Sequence, residues 1–361
     1  MNALDSQWMA QALHLAARGL NSTSPNPRVG CVIVRDGKPV SVGWHVRAGE
    51  PHAEVHALNM AQQQAQGATV YVTLEPCSHF GRTPPCADTL IEAGVARVVV
   101  AVQDPNPQVA GKGIARLRDA GIEVECGLME GEARGLNCGF FSRMERGLPW
   151  VRCKIAASMD GRTALANGIS KWITSEAARS DVQQWRARSC AILTGIGTVL
   201  ADDPQLNVRD FATGRQPLRV VLDSRLRLPH TAKILQDRNL LVYTATQDKE
   251  KIRALENAGA QVAVFANAGG QVSLDEMMVD LAARGINEVL VEAGGTLNGA
   301  LFKAGLVDEL VLYLAPQLLG DGARGMAQLG ELITLEERVD LAWQDVRRVG
   351  NDLRITAHVK K

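Results

Sequence analysis

Short apolar segments rich in valine and isoleucine alternate with helix-like segments along most of this chain. Examples are VGCVIV at 29–34, RVVVAV at 97–102 and VRCKIAA at 151–157. The segment at 97–102 has no polar alternation, so both its faces are expected to be covered. Strands that alternate with helices in this way predict an α/β fold. The first half of the chain is expected to form a three-layer domain of this kind.

The chain is long enough for two domains. It has 361 residues, and a domain typically holds about 100–200. Gly147-Leu148-Pro149 interrupts the pattern, so we expect domains at 1–146 and 147–361. We also expect helices at 52–65, 130–145 and 273–284, the last with a capping box of Ser273 and Glu276. A final hairpin is expected to turn at 350–352.

Composition argues against several classes of protein. The 39 Lys and Arg balance 39 Asp and Glu, and aromatic residues make up only 4%, which disfavours nucleic-acid binding. No apolar run reaches the ~20 residues that span a bilayer, and no secretory signal is visible. Seven cysteines without such a signal are typical of cytoplasmic thiols or metal ligands. We therefore expect a cytoplasmic protein with no nucleic-acid or membrane partner.

The most specific motif combines His52-Ala53-Glu54 with Pro76-Cys77 and Cys86. One imidazole and two thiolates suit Zn²⁺, and three protein ligands leave a fourth position for water, as in catalytic sites. Zinc lowers the pKa of that water toward neutrality. Glu54 follows the histidine by two residues, where it can shuttle a proton without binding the metal. Zinc nucleobase deaminases carry this H-x-E…P-C signature.

Two other interpretations of this cluster compete with a zinc deaminase. A chance combination without function is less probable, because H-x-E is placed at the start of a helix and P-C follows a strand. A zinc protease would place its glutamate directly after the first histidine, whereas that position here is Ala53. His56 is then a packing or supporting residue. The two cysteines are separated by eight residues instead of the two of generic deaminases.

The second half has weaker signals. No complete G-x-G-x-x-G fingerprint follows a strand, so a Rossmann dinucleotide site is not supported. Gly294 and Gly295 open a helix after a strand, where backbone N–H groups could approach a phosphate, although such a pair often marks only a turn. Arg186 and Arg209 could bind phosphate or simply be solvated. Other polar residues cluster at strand ends, where α/β ligand sites form: Lys154, Ser158, Asp160, Thr198, Asp202 and Asp203.

The first half resembles a known family. PNPRVGCVIV, HAEVHAL, YVTLEPCSHFGRTPPC and DPNPQVAGKG are similar to the deaminase domain of the bifunctional riboflavin-biosynthesis deaminase–reductases, including the eight-residue cysteine spacing. The resemblance implies a cytidine-deaminase-like fold that deaminates a ribosylated diaminopyrimidinone 5′-phosphate. It implies one zinc ion per chain, on His52, Cys77 and Cys86, with Glu54 as the proton shuttle. It further implies substrate contacts by Asn26, His45, His79 and Arg82.

The second half resembles the reductase domain of the same family. The matching segments are KIAASMDGRTA, GISKWIT, LTGIGTVLADDPQLNVR and VEAGGTLNGALFKAGLVDEL. The resemblance implies a dihydrofolate-reductase-like fold that uses NADPH to reduce the ribosyl chain to ribityl, and a homo-oligomer. The implied cofactor contacts are Ala156, Trp172, Thr198, Asp202, Gly294, Gly295, Thr296 and Leu297. The implied substrate contacts are Ser170, Arg186, Leu206, Arg209 and Glu292, with Lys154 and Asp160 as candidate polarising groups.

Two rival functions remain at this stage. A nucleic-acid-editing deaminase with an accessory domain would act on tRNA or single-stranded DNA, against which the neutral charge and low aromatic content argue. A zinc-binding module without enzymatic activity would keep its zinc and its behaviour when the Glu54 carboxylate is removed.

Overall fold

The computed structural model describes residues 3–78 and 84–361. It divides into two compact units, Met1–Gly147 (unit 1) and Leu148–Lys361 (unit 2). No helix in the described part of the chain is both long and apolar enough to cross a membrane.

Unit 1 is built on a five-stranded sheet with the order β2-β1-β3-β4-β5. Its strands are β1 (Gly30–Arg35), β2 (Lys38–Trp44), β3 (Thr69–Val72), β4 (Arg97–Val100) and β5 (Glu123–Cys126). The β1–β2 hairpin turns at Asp36-Gly37, and β1 runs antiparallel to β3. The remaining pairs, β3–β4 and β4–β5, are parallel.

Helices cover both faces of this sheet. They are α1 (Ala3–Ala17), α2 (Ala53–Ala61), α3 (Cys86–Glu92), α4 (Lys112–Asp119), α5 (Glu130–Leu136) and α6 (Cys138–Arg146). One apolar cluster joins the sheet to α2, α3 and α4 and includes Ala57, Leu90 and Leu117. A second joins the opposite face to α1, α5 and α6 and includes Met9 and Phe141. The predicted three-layer α/β arrangement is confirmed.

Three local predictions in this and the second unit were wrong. The helix expected at 130–145 is broken at Asn137, whose side chain accepts the N–H of Arg28 and donates to the carbonyl of Arg28. The helix expected at 52–65 ends at Ala61 and continues as a 3₁₀ turn, 62–65. Ser273 is an N-cap without a side-chain capping bond, and its N–H, which Glu276 would accept in a capping box, donates to the carbonyl of Phe265.

Unit 2 contains a nine-stranded sheet with the order β11-β10-β9-β8-β12-β6-β13-β16-β15. Its strands are β6 (Trp150–Ser158), β8 (Ala191–Gly195), β9 (Leu218–Leu222), β10 (Leu240–Thr244), β11 (Gln261–Val264), β12 (Glu288–Val291), β13 (Glu309–Ala315), β15 (Leu341–Val349) and β16 (Asp352–Val359). Pairing is parallel from β11 to β13, and the final β15–β16 hairpin adds antiparallel to β13.

The helices of unit 2 connect these strands, and two further short strands form a separate small sheet. The helices are α7 (Glu176–Arg188), α8 (Ile196–Asp202), α9 (Lys249–Asn257), α10 (Leu274–Ala283) and α11 (Gly295–Lys303). The small sheet pairs β7 (Arg162–Ala164) with β14 (Arg324–Gly325).

A buried ion-pair cluster joins three neighbouring strands of the large sheet. Arg152 on β6 is 2% exposed. Its Nη1 contacts Glu288 on β12, and its Nε donates to Glu309 on β13 at 2.6 Å. Both carboxylates stand at the first residue of their strands.

Candidate active sites

Three predicted metal ligands meet in unit 1. His52, Cys77 and Cys86 place one nitrogen and two sulfur atoms within 4.8 Å of one another. His52 Nδ1 lies 3.3 Å from the sulfur of Cys86 and 3.6 Å from that of Cys77. A single imidazole nitrogen therefore faces both thiols, as it must if the three are to share one ion.

The local fold explains why these residues converge. His52 is the residue that precedes α2, and Cys86 is the first residue of α3. Helix α2 can lie against β2 because Gly43 has no side chain, and a Cβ there would be 2.2 Å from the carbonyl oxygen of Ala53. The N–H of Cys86 donates to the sulfur of Cys77 at 3.3 Å, which draws the two thiols together.

The donor set fits zinc. One imidazole and two thiols within a few ångströms are ligands that tetrahedral Zn²⁺ prefers, and three protein ligands leave one position open. His56 is not part of this set, and its Nε2 is buried without a hydrogen-bond partner. The three-ligand arrangement is that of a catalytic centre and differs from the pattern of a zinc protease.

Glu54 lies beside the cluster and is not one of its ligands. The residue is 3% exposed, and its Oε2 has no hydrogen-bond partner. Burial raises the pKa of this carboxyl. A buried carboxylate oxygen without a partner is costly, and this one lies beside the three candidate metal ligands, where it could contact a bound molecule.

Asn26 and His45 form a hydrogen-bonded pair next to the metal ligands. His45 Nδ1 donates to the carbonyl of Pro51 at 3.1 Å, and since a carbonyl only accepts, Nε2 is the acceptor for the amide of Asn26 at 3.2 Å. The rings of His45 and His52 pack edge to face, 5.4 Å apart. Burial lowers the pKa of His45, which keeps the ring neutral. His79 and Arg82, also predicted to contact substrate, lie outside the described residues.

In unit 2, three predicted residues meet at β6 and the end of β12. Arg186 binds Glu292 through two hydrogen bonds, at 2.6 and 2.9 Å, and a third bond joins it to the carbonyl of Asn207 at 3.0 Å. Lys154 on β6 is electrostatically coupled to both. Burial lowers the pKa of Lys154, although the Glu292 carboxylate opposes the shift. Lys154 is therefore a partly buried amine whose nearest charged groups are Glu292 and Arg186.

Other predicted contacts surround this centre. Ala156 lies on the same face of β6 as Lys154, because residues two apart on a strand share a face. Lys171 pairs with Asp202 at 3.2 Å, which brings the segment with Ser170 and Trp172 to α8, where Thr198 lies. Trp172 is 70% exposed and stacks under the guanidinium of Arg179. Leu206 is buried, whereas Arg209 is exposed and its charge acts on Glu292.

The Gly294–Leu297 segment begins α11 as predicted, but its two glycines have different surroundings. A Cβ at Gly294 would meet nothing within 4 Å, whereas one at Gly295 would lie 2.6 Å from the carbonyl oxygen of Gly325. Gly294 therefore leaves open space before the helix N-terminus, which suits an anionic group such as a pyrophosphate. Gly295 permits close backbone packing. Thr296 donates to Gln328 at 2.9 Å, and Leu297 packs against Gly195 and the main core.

Asp160 has a clear structural task. Its carboxylate accepts the hydroxyl of Ser158 and the backbone N–H groups of Leu319 and Gly320. The hydrogen bond from Ser158 is the main reason that the pKa of Asp160 falls to about 2. These bonds hold the loop at Leu319 and Gly320 and occupy the carboxylate, so Asp160 is a weaker candidate for a polarising group than Lys154.

The sequence analysis did not identify Glu75, a buried residue of unit 1, as a candidate residue near the metal ligands. Glu75 accepts four backbone hydrogen bonds just before the ligand Cys77. The available signal was an acidic residue in the otherwise apolar run YVTLEPC, since a charge in such a run needs compensating partners.

Comparisons with known proteins agree with the geometry. Residues 2–102 match the model for the cytidine and deoxycytidylate deaminase zinc-binding region, and residues 149–355 match that for the RibD C-terminal domain. The chain is 51% identical to riboflavin biosynthesis protein RibD of Escherichia coli K12, over 97% of this chain and 98% of that protein. It is 47% identical to RibD of Haemophilus influenzae, over 98% and 96% respectively.

Solved structures are similarly close over the full length. Acinetobacter baumannii RibD, form 1, superposes with a TM-score of 0.92 at 48% identity, covering 99% of each chain. The Thermotoga maritima diaminohydroxyphosphoribosylaminopyrimidine deaminase/5-amino-6-(5-phosphoribosylamino)uracil reductase gives 0.88 at 32% identity, again covering 99% of each. The predicted cytidine-deaminase-like domain followed by a reductase domain is confirmed. The chain therefore belongs to the RibD family, bifunctional enzymes of riboflavin biosynthesis that combine a zinc-dependent deaminase with a reductase.

Proposed function

We propose that residues 1–146 are the deaminase domain of this enzyme and residues 147–361 its reductase domain. The first step is hydrolytic deamination of 2,5-diamino-6-ribosylamino-4(3H)-pyrimidinone 5′-phosphate. The second reduces the ribosyl chain with NADPH and yields 5-amino-6-(5-phospho-ribitylamino)uracil. The observation that carries the proposal is the buried, unpartnered Glu54 oxygen beside three convergent metal ligands.

In the deaminase domain, His52, Cys77 and Cys86 would hold the zinc ion. When bound, zinc supplies a water of lowered pKa as the nucleophile. Glu54 takes the proton from the attacking water and delivers it to the departing ammonia, as the general acid/base of this chemistry. The amide of Asn26 is held by its hydrogen bond to His45 and presents Oδ1 as an acceptor. This amide and the ring of His45 orient the pyrimidine. His79 and Arg82 are proposed to complete the contacts with the substrate.

In the reductase domain, NADPH supplies the hydride. Lys154 polarises the C1′ carbonyl or Schiff-base end of the ribosyl chain, because its partly buried side chain lies on the same face of β6 as the proposed cofactor contact Ala156. Arg186 is held in place by Glu292, while the exposed Arg209 is the better placed cation for the substrate phosphate. Ser170 and Leu206 complete the proposed substrate contacts. The proposed cofactor contacts are Trp172, Thr198, Asp202 and Gly294–Leu297.

Glu54→Gln tests the assignment of the two activities. General acid/base catalysis contributes about 10²–10⁴-fold, so we expect deamination to fall by that factor while zinc content is unchanged. NADPH oxidation with the pre-deaminated substrate should continue at the parental rate. Glu130→Gln, at a half-exposed carboxylate of the same unit, is the matched control. Normal deamination by Glu54→Gln would contradict the proton-shuttle role.

We also propose that the enzyme works in the cytoplasm as a homo-oligomer on small molecules, without a nucleic-acid partner. The cysteines of the described residues form no disulfide, which suits a reducing compartment. The formal net charge is zero, which offers little attraction to phosphate polymers. Light scattering of the purified protein would test the assembly, and a mass equal to the 38.8 kDa of one chain would contradict it.

A further inference from the structure

A buried carboxylate that the proposed chemistry does not use lies two residues before the ligand Cys77. Glu75 is 3% exposed. No ion pair joins it to a basic side chain among residues 3–78 and 84–361. Its two oxygens accept four backbone N–H groups of one segment, 104–114: Oε1 from Gly113 at 2.9 Å and Ile114 at 3.1 Å, and Oε2 from Gly111 at 2.9 Å and Asp104 at 3.1 Å.

These hydrogen bonds tie the Glu75 side chain to the start of α4. Gly113 and Ile114 belong to the first turn of that helix, where backbone N–H groups have no partner inside the helix. A carboxylate there gains from charge-assisted bonds and from the positive end of the helix dipole. The negative charge of Glu75 is thus compensated by the backbone, and the segment 104–114 is fixed to the residues that lead to Cys77.

The backbone next to Glu75 makes a second contact with the same helix. A Cβ at Gly113 would lie 2.0 Å from the carbonyl oxygen of Pro76, so the peptide that carries Cys77 rests directly on the first turn of α4. From Cys77 the contacts continue to α3: its carbonyl accepts the N–H of Ala87 at 3.1 Å, and its sulfur accepts the N–H of Cys86.

We propose that Glu75 is a positioning residue for the metal centre. Glu75 binds the segment 104–114 against Pro76 and thereby fixes the position of the Cys77 sulfur. Because the N–H of Cys86 donates to that sulfur, the position of the Cys86 thiol relative to it is fixed as well. This inference rests on the proposed function, since it requires a metal ion at His52, Cys77 and Cys86. Replacing a group that supports a metal ligand typically lowers metal affinity or activity about 10- to 100-fold.

Glu75→Gln is the direct test, because it keeps the shape but turns an NH₂ group toward backbone donors. With zinc-loaded full-length enzyme, we expect zinc transfer to a chromophoric chelator to accelerate about 10- to 100-fold. We expect the deamination kcat per bound zinc to fall, and the visible absorption of the Co²⁺-substituted protein to shift. NADPH oxidation with pre-deaminated substrate should be unchanged and serves as an internal control. Glu130→Gln should behave as the parent.

A milder variant covers the case in which Glu75→Gln fails to fold. Gly111→Ala strains a backbone with φ of +83° and weakens one of the four hydrogen bonds, so it should shift zinc release and kcat in the same direction by a smaller factor. The inference would be overturned if the folded variants released zinc at the rate of the parent and kept its kcat per zinc and its Co²⁺ spectrum. This holds even if their unfolding temperature were lower. A parent enzyme that binds no zinc would instead overturn the proposed function.

Discussion

Replacing Arg186 by methionine is expected to destabilise unit 2, because it leaves the Glu292 carboxylate buried without its main partner. Arg186 and Glu292 side chains are 10% and 12% exposed, and two hydrogen bonds of 2.6 and 2.9 Å join them. Burial alone would raise the pKa of Glu292, yet the guanidinium of Arg186 holds it below its ordinary value. The pair is therefore a mutually dependent buried ion pair.

The expected magnitude follows from this burial. Removing one partner of a buried pair costs about 3–5 kcal/mol, and we take the lower end because Lys154 also stabilises the Glu292 charge. For a unit of about 200 residues, 1 kcal/mol corresponds to about 2–4 °C, so the unfolding transition should fall by about 6–12 °C. Scanning calorimetry measures it, and NADPH identifies the transition of unit 2 by raising its temperature.

Lowering the pH should reduce the difference in stability between the parent and the Arg186→Met variant. In the parent, Glu292 has a lowered pKa, so its stabilisation is present above the ordinary pKa of about 4.3 and is lost as the pH falls through the lowered value. Without Arg186, burial raises that pKa, and the variant loses stability as the pH rises. The gap should therefore be largest near neutral pH and shrink toward pH 4.

The double variant Arg186→Met/Glu292→Gln separates charge from packing. With the isolated carboxylate removed, it should be more stable than Arg186→Met alone, since replacing both partners costs less than breaking a pair. The reasoning would be refuted if the unfolding temperature of the single variant fell by less than about 2 °C. It would also be refuted if the double variant were no more stable than the single one.

Two further predictions concern the binding sites. Gly295→Ala should lower the stability of unit 2 by about 1–3 kcal/mol and weaken NADPH binding, because its Cβ would lie 2.6 Å from a backbone carbonyl oxygen. Gly294→Ala, which faces open space, should leave calorimetric stability unchanged, and equal losses in both would contradict the packing argument. Asn26→Ala should raise the KM for deamination about 10-fold, the loss of ~1.4 kcal/mol from one hydrogen bond. Steady-state kinetics and metal analysis check this, with zinc content expected at the parental level.

The sequence was most informative where chemistry and local pattern coincide. The ligand set His52, Cys77 and Cys86 was predictable because few residue types bind zinc and their spacing is unusual. Strands β1, β4 and β6 were predictable from the segments at 29–34, 97–102 and 151–157, since short apolar runs bounded by polar residues have few alternatives.

The failures share a different cause, which is tertiary partners distant in sequence. Asn137 breaks the helix expected at 130–145 because its amide pairs with the backbone of Arg28. The role of Glu75 was not predicted, because the four backbone N–H groups that bind its carboxylate lie about 30–40 residues away in the sequence. No local pattern indicates such partners.

The buried cluster around Arg152 has a consequence for how the large sheet selects its alignment. Sliding β6 by two residues against its neighbours would keep the same side chains facing the core, so apolar alternation alone cannot distinguish the slipped sheet from the native one. The slip would, however, carry the Arg152 guanidinium away from Glu288 and Glu309 and break both of these ion pairs in a medium of low polarity. The cluster thus contributes more to the uniqueness of the fold than to its overall stability: it penalises the misaligned sheets that the hydrophobic core would tolerate.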